Sequence, residues 1–133
     1  GEQLGLGRIG TIEAMTLKEM AEHVKKSLDV PNVRVVGDLS ATIKKVAILG
    51  GDGNKYFRTA KFKGADVYIT GDFYYHTAHD AMMAGLNVID PGHHMEKVMK
   101  KGVAGLMAKK CSEKGYEVEF IPSGIHTDPF IFL

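Results

Sequence analysis

Residues 87–97 read NVIDPGHHMEK, and the fold follows from how this stretch breaks. A short apolar run, Val88-Ile89, stops at Asp90-Pro91-Gly92. His93, His94 and Glu96 follow, and a helical pattern continues to about Lys110. The spacing describes a strand that ends in a tight loop and hands imidazoles and a carboxylate to the start of a helix. In open α/β sheets, sites lie at the carboxyl ends of strands. Neutral imidazole with carboxylate is also the donor set of zinc, manganese and non-haem iron sites.

Working outward, the same alternation recurs. Val46-Ala47-Ile48-Leu49 is a continuous apolar run, as in a strand covered on both faces. Gly50-Gly51-Asp52-Gly53-Asn54 breaks it, Lys55 to Lys63 has a helical pattern, and Gly64 stands where a helix stops. Val67 to Thr70 forms the next run, broken by Gly71-Asp72, and a helix is expected from Tyr74 to Ala84 with Gly85 as its stop. Upstream, Thr16-Leu17-Lys18-Glu19 has the form of a capping box, and Leu17, Met20, Ala21, Val24 and Leu28 recur at helical spacing. The glycine-rich opening reads as irregular, with a short strand possible over Arg8 to Ile12. Val33 to Val36 reads as a strand, and so does the alternating stretch Tyr116 to Ile121. The expectation is an α/β domain with a mainly parallel or mixed sheet, strands near 45–49, 66–70, 87–90 and 116–121, and helices on both faces. Parallel strands would bring Asp52, Asp72 and His93 to one edge of that sheet.

The chain has 133 residues, which suits one domain over 1–133. Its net charge of +1 makes no electrostatic case for nucleic acid or an anionic membrane. No apolar run approaches the ~20 residues that cross a bilayer. The lone Cys111 excludes an internal disulfide and fits a reducing, cytoplasmic compartment. Gly1 stands where an initiator Met would, so the chain is expected to be part of something longer.

Three loops carry candidate chemistry. LGGDGN resembles a phosphate cradle, but it lacks a GK[ST] or a GxGxxG pattern and reads more simply as a tight strand-to-helix turn. ITGDFYYHTAHDA offers Asp72, His76, His79 and Asp80, with His76 and Asp80 on one helical face; the plain alternative is that Asp72 caps the helix. In DPGHHMEK, His93 and Glu96 are three apart, on one side of a helical turn. Two or three such donors do not complete a zinc sphere, and a solvated histidine pair at a helix start is the plain alternative. Cys111 has no partner pattern of a nucleophile. The tail SGIHTDPFIFL ends on an apolar run that suits a terminal strand or an interface.

VAILGGDGNKYFRTA, ADVYITGDFYYHTAHDA, NVIDPGHHMEKV and HTDPF, in this order, resemble the Nif-three family, known in bacteria as GTP cyclohydrolase I type 2 homologues. The resemblance covers about Gly5 to Phe132 and concerns the carboxy-terminal half of the long bacterial form. It implies a three-layer α/β fold, hexameric assembly, and a site for two divalent ions (zinc, manganese or iron). Part of that site would come from an amino-terminal half that this sequence lacks. A His and a Glu from the GH…E loop would supply the rest, which carries over to His93 and Glu96. Other members place the Glu four residues after the His rather than three, so His94 stands as the alternative ligand. The implied activity is metal-dependent hydrolysis of a nucleotide or phosphorylated small molecule, with GTP ring opening as the named reaction. Asp72 and His76 would then line the cleft as positioning or proton-transfer groups. The alternative is a non-catalytic metal-binding scaffold that works through oligomeric assembly.

Overall fold

The computed structural model describes residues 5–133, so the first four residues of the expected irregular opening lie outside the described residues. The chain falls into two units, Gly1–Met95 and Glu96–Leu133.

The first unit is built on period-two alternation. Val67 and Ile69 of β4 (Val67–Gly71) point to one face, Tyr68 to the other, and all five strand residues are buried. β4 runs parallel to β3 (Thr42–Asp52) and to β5 (Asn87–Asp90), which places Ile48, Ile69 and Ile89 in one row. These are three of the strands expected from the sequence, β3 being longer than 45–49. Two antiparallel strands close the edges: β1 (Arg8–Thr16) pairs with β3, and β2 (Arg34–Val36) pairs with β5. The order is β1-β3-β4-β5-β2, a mixed sheet.

Each face buries its own cluster. On one side, α1 (Leu17–Leu28) sets Leu17, Met20, Ala21 and Val24 against Ile43, Val67, Ile69 and Ile89. The capping box holds as expected: the Thr16 hydroxyl accepts from the Glu19 N–H at 3.2 Å, and the Glu19 carboxylate accepts from the Thr16 N–H at 2.7 Å. On the other side, a 310 turn (Asn54–Tyr56), α2 (Phe57–Phe62) and α3 (Tyr75–Met83) place Phe57, Ala60 and Ala81 over Ala47, Tyr68 and Val88. Helix, sheet and helix make the three layers. Burying a fully enclosed side chain such as Ile89 contributes about 1.5–3 kcal/mol.

A 310 turn over His93–Lys97 leads into α4 (Val98–Glu113). Its Met95 is buried in the cluster beneath α1. The second unit contains α4, with no buried residue, and a tail without regular structure. The strand expected over Tyr116 to Ile121 is therefore absent, and the tail is no terminal strand. Alternation supplies a strand with faces, but its N–H and C=O groups need a neighbouring strand, and the second unit has none among the described residues. Tyr116, Val118 and Ile121 are exposed.

Candidate functional site

The loops after β3, β4 and β5 meet at one edge of the sheet, as the parallel order requires. The first is bolted to β4. The Tyr68 hydroxyl donates to the Gly53 carbonyl at 2.9 Å, and the Thr70 hydroxyl to the Gly51 carbonyl at 3.1 Å. A Cβ on Gly53 would lie 2.3 Å from the Tyr68 oxygen, so only glycine lets the loop sit this low. The Asn54 N–H donates to Asp52 Oδ1 at 3.0 Å. A donor that a phosphate cradle would need is thus taken by the loop's own carboxylate, whose charge repels phosphate. The loop is a turn.

Asn54 joins this loop to the second. It is buried, although nothing in the sequence marks it for a core. Its Nδ2 donates to the Asp72 carbonyl at 2.8 Å and to Asp52 Oδ1, and its Oδ1 accepts from the Tyr74 N–H at 2.9 Å. The Tyr74 hydroxyl donates to Asp52 Oδ2 at 2.8 Å. The Asn54 amide, then the Asn54 N–H and the Tyr74 hydroxyl, hold the Asp52 carboxyl below its ordinary range. The same bond to Asp52 raises the Tyr74 phenol above its own.

Asp72 has left-handed backbone, φ 53°, unusual for a residue other than glycine. It does not cap α3, whose N-cap is Tyr74 and has no side-chain cap. Its carboxylate Oδ2 lies 2.8 Å from His93 Nδ1, with both side chains about half exposed. Gly71 makes this approach possible, since a Cβ there would meet the Gly92 carbonyl carbon and the His93 nitrogen at 2.8 Å. The third loop is latched by Asp90, 4% exposed, which accepts from the Phe73 N–H at 2.9 Å and the Gly92 N–H at 2.8 Å and pairs with Arg34.

The structure therefore brings Asp72 and His93 together. It does not join His76 to them. His76 is exposed on α3 in an edge-on ring contact with Tyr75, and it makes no hydrogen bond or ion pair with another described residue. Asp80 pairs with Arg58 at 3.9 Å rather than with His76. His94 is half-buried, and Glu96, the first residue of the second unit, is exposed. Sequence reading missed Asn54, Tyr74, Asp90 and Arg34, because these partners stand 17 to 56 residues away.

An imidazole whose Nδ1 is held by a carboxylate suits a metal-ligating histidine in kind, because that bond fixes the tautomer and aims Nε2. In number the donors fall short: among the described residues no group of three or more His, Cys, Asp or Glu could hold a metal.

The family model described as Duf34/NIF3 (NGG1p interacting factor 3) matches residues 2–129. The chain is 58% identical to the GTP cyclohydrolase 1 type 2 homolog of Halalkalibacterium halodurans, over 100% of this chain and 36% of that protein. It is also 58% identical to the Bacillus subtilis protein of the same name, over 97% of this chain and 35% of that one. The crystal structure of a Bacillus cereus protein related to NIF3 superimposes with a TM-score of 0.93 at 61% identity, covering all of this chain and 37% of the other. The chain thus spans about a third of the length of these two curated relatives. It belongs to the Duf34/NIF3 family.

Proposed function

We propose that this chain is the carboxy-terminal portion of a metal-dependent hydrolase acting on a nucleotide or phosphorylated small molecule, with His93 and Glu96 as metal ligands. The observation that supports it best is the 2.8 Å contact between Asp72 Oδ2 and His93 Nδ1. A carboxylate in that place favours the proton on Nδ1 and would make Nε2 the nitrogen that faces a cation. Glu96 enters through the motif and its place three residues on, in the same 310 turn. A divalent cation bound there would act as a Lewis acid and lower the pKa of a water beside it. Asp72 holds the imidazole in one orientation. His76, one step into α3, is assigned proton exchange with the substrate. The relatives' name, GTP cyclohydrolase 1 type 2 homolog, supports a nucleotide as the substrate class.

The test is metal content and hydrolysis of a nucleotide panel by the full-length protein, with His93→Ala and Glu96→Ala beside it. Loss of both properties in His93→Ala is expected. Metal and turnover that survive this change would overturn the assignment. Titration of the 133-residue chain with zinc or manganese is expected to show weak binding, because two protein donors leave most of the sphere to water. Submicromolar binding that Glu96→Ala abolishes would mean the donors of a whole site lie within these residues.

A second reading, a metal-binding scaffold that assembles as a homo-oligomer, is favoured by α4. Val98, Met99, Val103, Leu106 and Met107 are all exposed along that helix, and such patches mark interfaces. Light scattering together with the panel separates the two readings: assembly without turnover in any metal-loaded form selects the scaffold.

A further inference from the structure

We propose that Asn54 is the positioning residue of the Asp72–His93 pair. The claim concerns the pair's geometry and stands whether or not His93 binds a metal. Asp72 presents its carboxylate from a left-handed backbone, φ 53°, a conformation that costs an L-residue energy even though Asp tolerates it better than most. Two hydrogen bonds hold the Asp72–Tyr74 backbone from the side of the first loop, and both come from one amide. Nδ2 of Asn54 holds the carbonyl of Asp72, and Oδ1 of Asn54 holds the N–H of Tyr74. A buried amide satisfied at both ends has one orientation, because turning it over would set donor against donor.

Asn54 can impose this geometry because its own loop cannot shift. The Gly51 and Gly53 carbonyls are bonded to side chains of β4, and Gly53 is packed too closely to carry a Cβ. Asp52 further fixes the amide through Oδ1. The order of control runs from β4 to the first loop, to the Asn54 amide, to the Asp72 backbone, and then to His93 Nδ1. The competing explanation is that Asn54 merely substitutes for the missing side-chain cap of α3, through Tyr74. That role needs only the Oδ1 acceptor, whereas positioning needs the Nδ2 donor as well.

The two roles separate in the double substitution Asp52→Asn/Asn54→Asp, made in the intact protein. It keeps an amide–carboxylate pair between 52 and 54 and an acceptor for the Tyr74 N–H, and it removes the donor to the Asp72 carbonyl together with the Asp52 acceptor of the residue-54 N–H; Asp52→Asn alone, which keeps the Asn54 amide, is the control for the change at 52. The readout is the imidazole 15N spectrum of His93 in its neutral form, with Asp72→Ala marking the value for a histidine without its carboxylate. Wild type is expected to carry the proton on Nδ1. In the double variant, the ratio of Nδ1–H to Nε2–H is expected to fall about tenfold, the weight of one charge-assisted hydrogen bond. A wild-type ratio in a folded double variant overturns the proposal, as does a wild-type protein without the Nδ1–H preference. Should the variant fail to fold, the wild type still decides. The Asn54 side-chain amide protons are expected to exchange with solvent much more slowly than those of exposed Asn32, and equal rates overturn the proposal.

Discussion

Replacing Asp90 with alanine tests whether the loop edge is held as described. The Asp90 carboxylate is almost fully buried, and three groups depend on it: the Phe73 N–H, the Gly92 N–H and the Arg34 guanidinium. These do not weigh equally. The Phe73 N–H lies in a buried bond and would be left without an acceptor, at a cost of about 1–3 kcal/mol. The Gly92 N–H is only part-buried and can turn to water, so its loss adds about 0.5–1 kcal/mol. The Arg34 side chain is 69% exposed, so its guanidinium returns to water at little cost. The sum is about 1.5–4 kcal/mol, a large part of the ~5–15 kcal/mol that ordinarily holds a domain. With an m-value of about 2 kcal/mol/M, the urea midpoint should drop by roughly 1–2 M without a change in slope. Asp90→Asn keeps the volume but offers one oxygen where two are used, so it should lie between wild type and Asp90→Ala. Urea unfolding followed by circular dichroism measures all three proteins. An Asp90→Ala midpoint within about 0.5 kcal/mol of wild type, the range of ordinary surface changes, would refute the reasoning. The loop holding His93 would then be fixed by something other than this carboxylate.

Other substitutions probe the remaining supports. Gly71→Ala would drive a Cβ into backbone atoms of Gly92 and His93, so it should cost about 1–3 kcal/mol by thermal unfolding and weaken the Asp72–His93 bond seen by NMR. The Asp52 carboxyl is held low by Asn54 and then by Tyr74, so its stabilisation is present above the unfolded carboxyl pKa and is lost as pH falls through the folded value. Stability measured against pH should therefore drop less below about pH 4 in Asp52→Asn than in wild type. Tyr74 should ionise later than an ordinary tyrosine in an ultraviolet titration, and Asp52→Asn should return it to the ordinary range. Thr16→Ala removes the α1 cap and should cost about 1 kcal/mol by urea unfolding, whereas loss of less than a few tenths would mean the box contributes nothing.

Local rules were enough for much of this molecule. β4 and β5 were legible because buried parallel strands are continuous apolar runs, and α1 because its cap and apolar stripe both lie within its own residues. The shared edge of Asp52, Asp72 and His93 followed from parallel order alone. Tertiary structure decided what depends on partners distant in sequence. Whether Tyr116 to Ile121 forms a strand depends on a neighbour that its own alternation cannot supply. Whether Asp72 caps α3 or holds His93 depends on a loop 21 residues away, brought close by a glycine without a side chain. Asn54 is polar, and its burial became possible only when two loops offered it donors and acceptors together. A residue's periodicity is written in its neighbours along the chain, but satisfying its hydrogen bonds is a property of the folded whole.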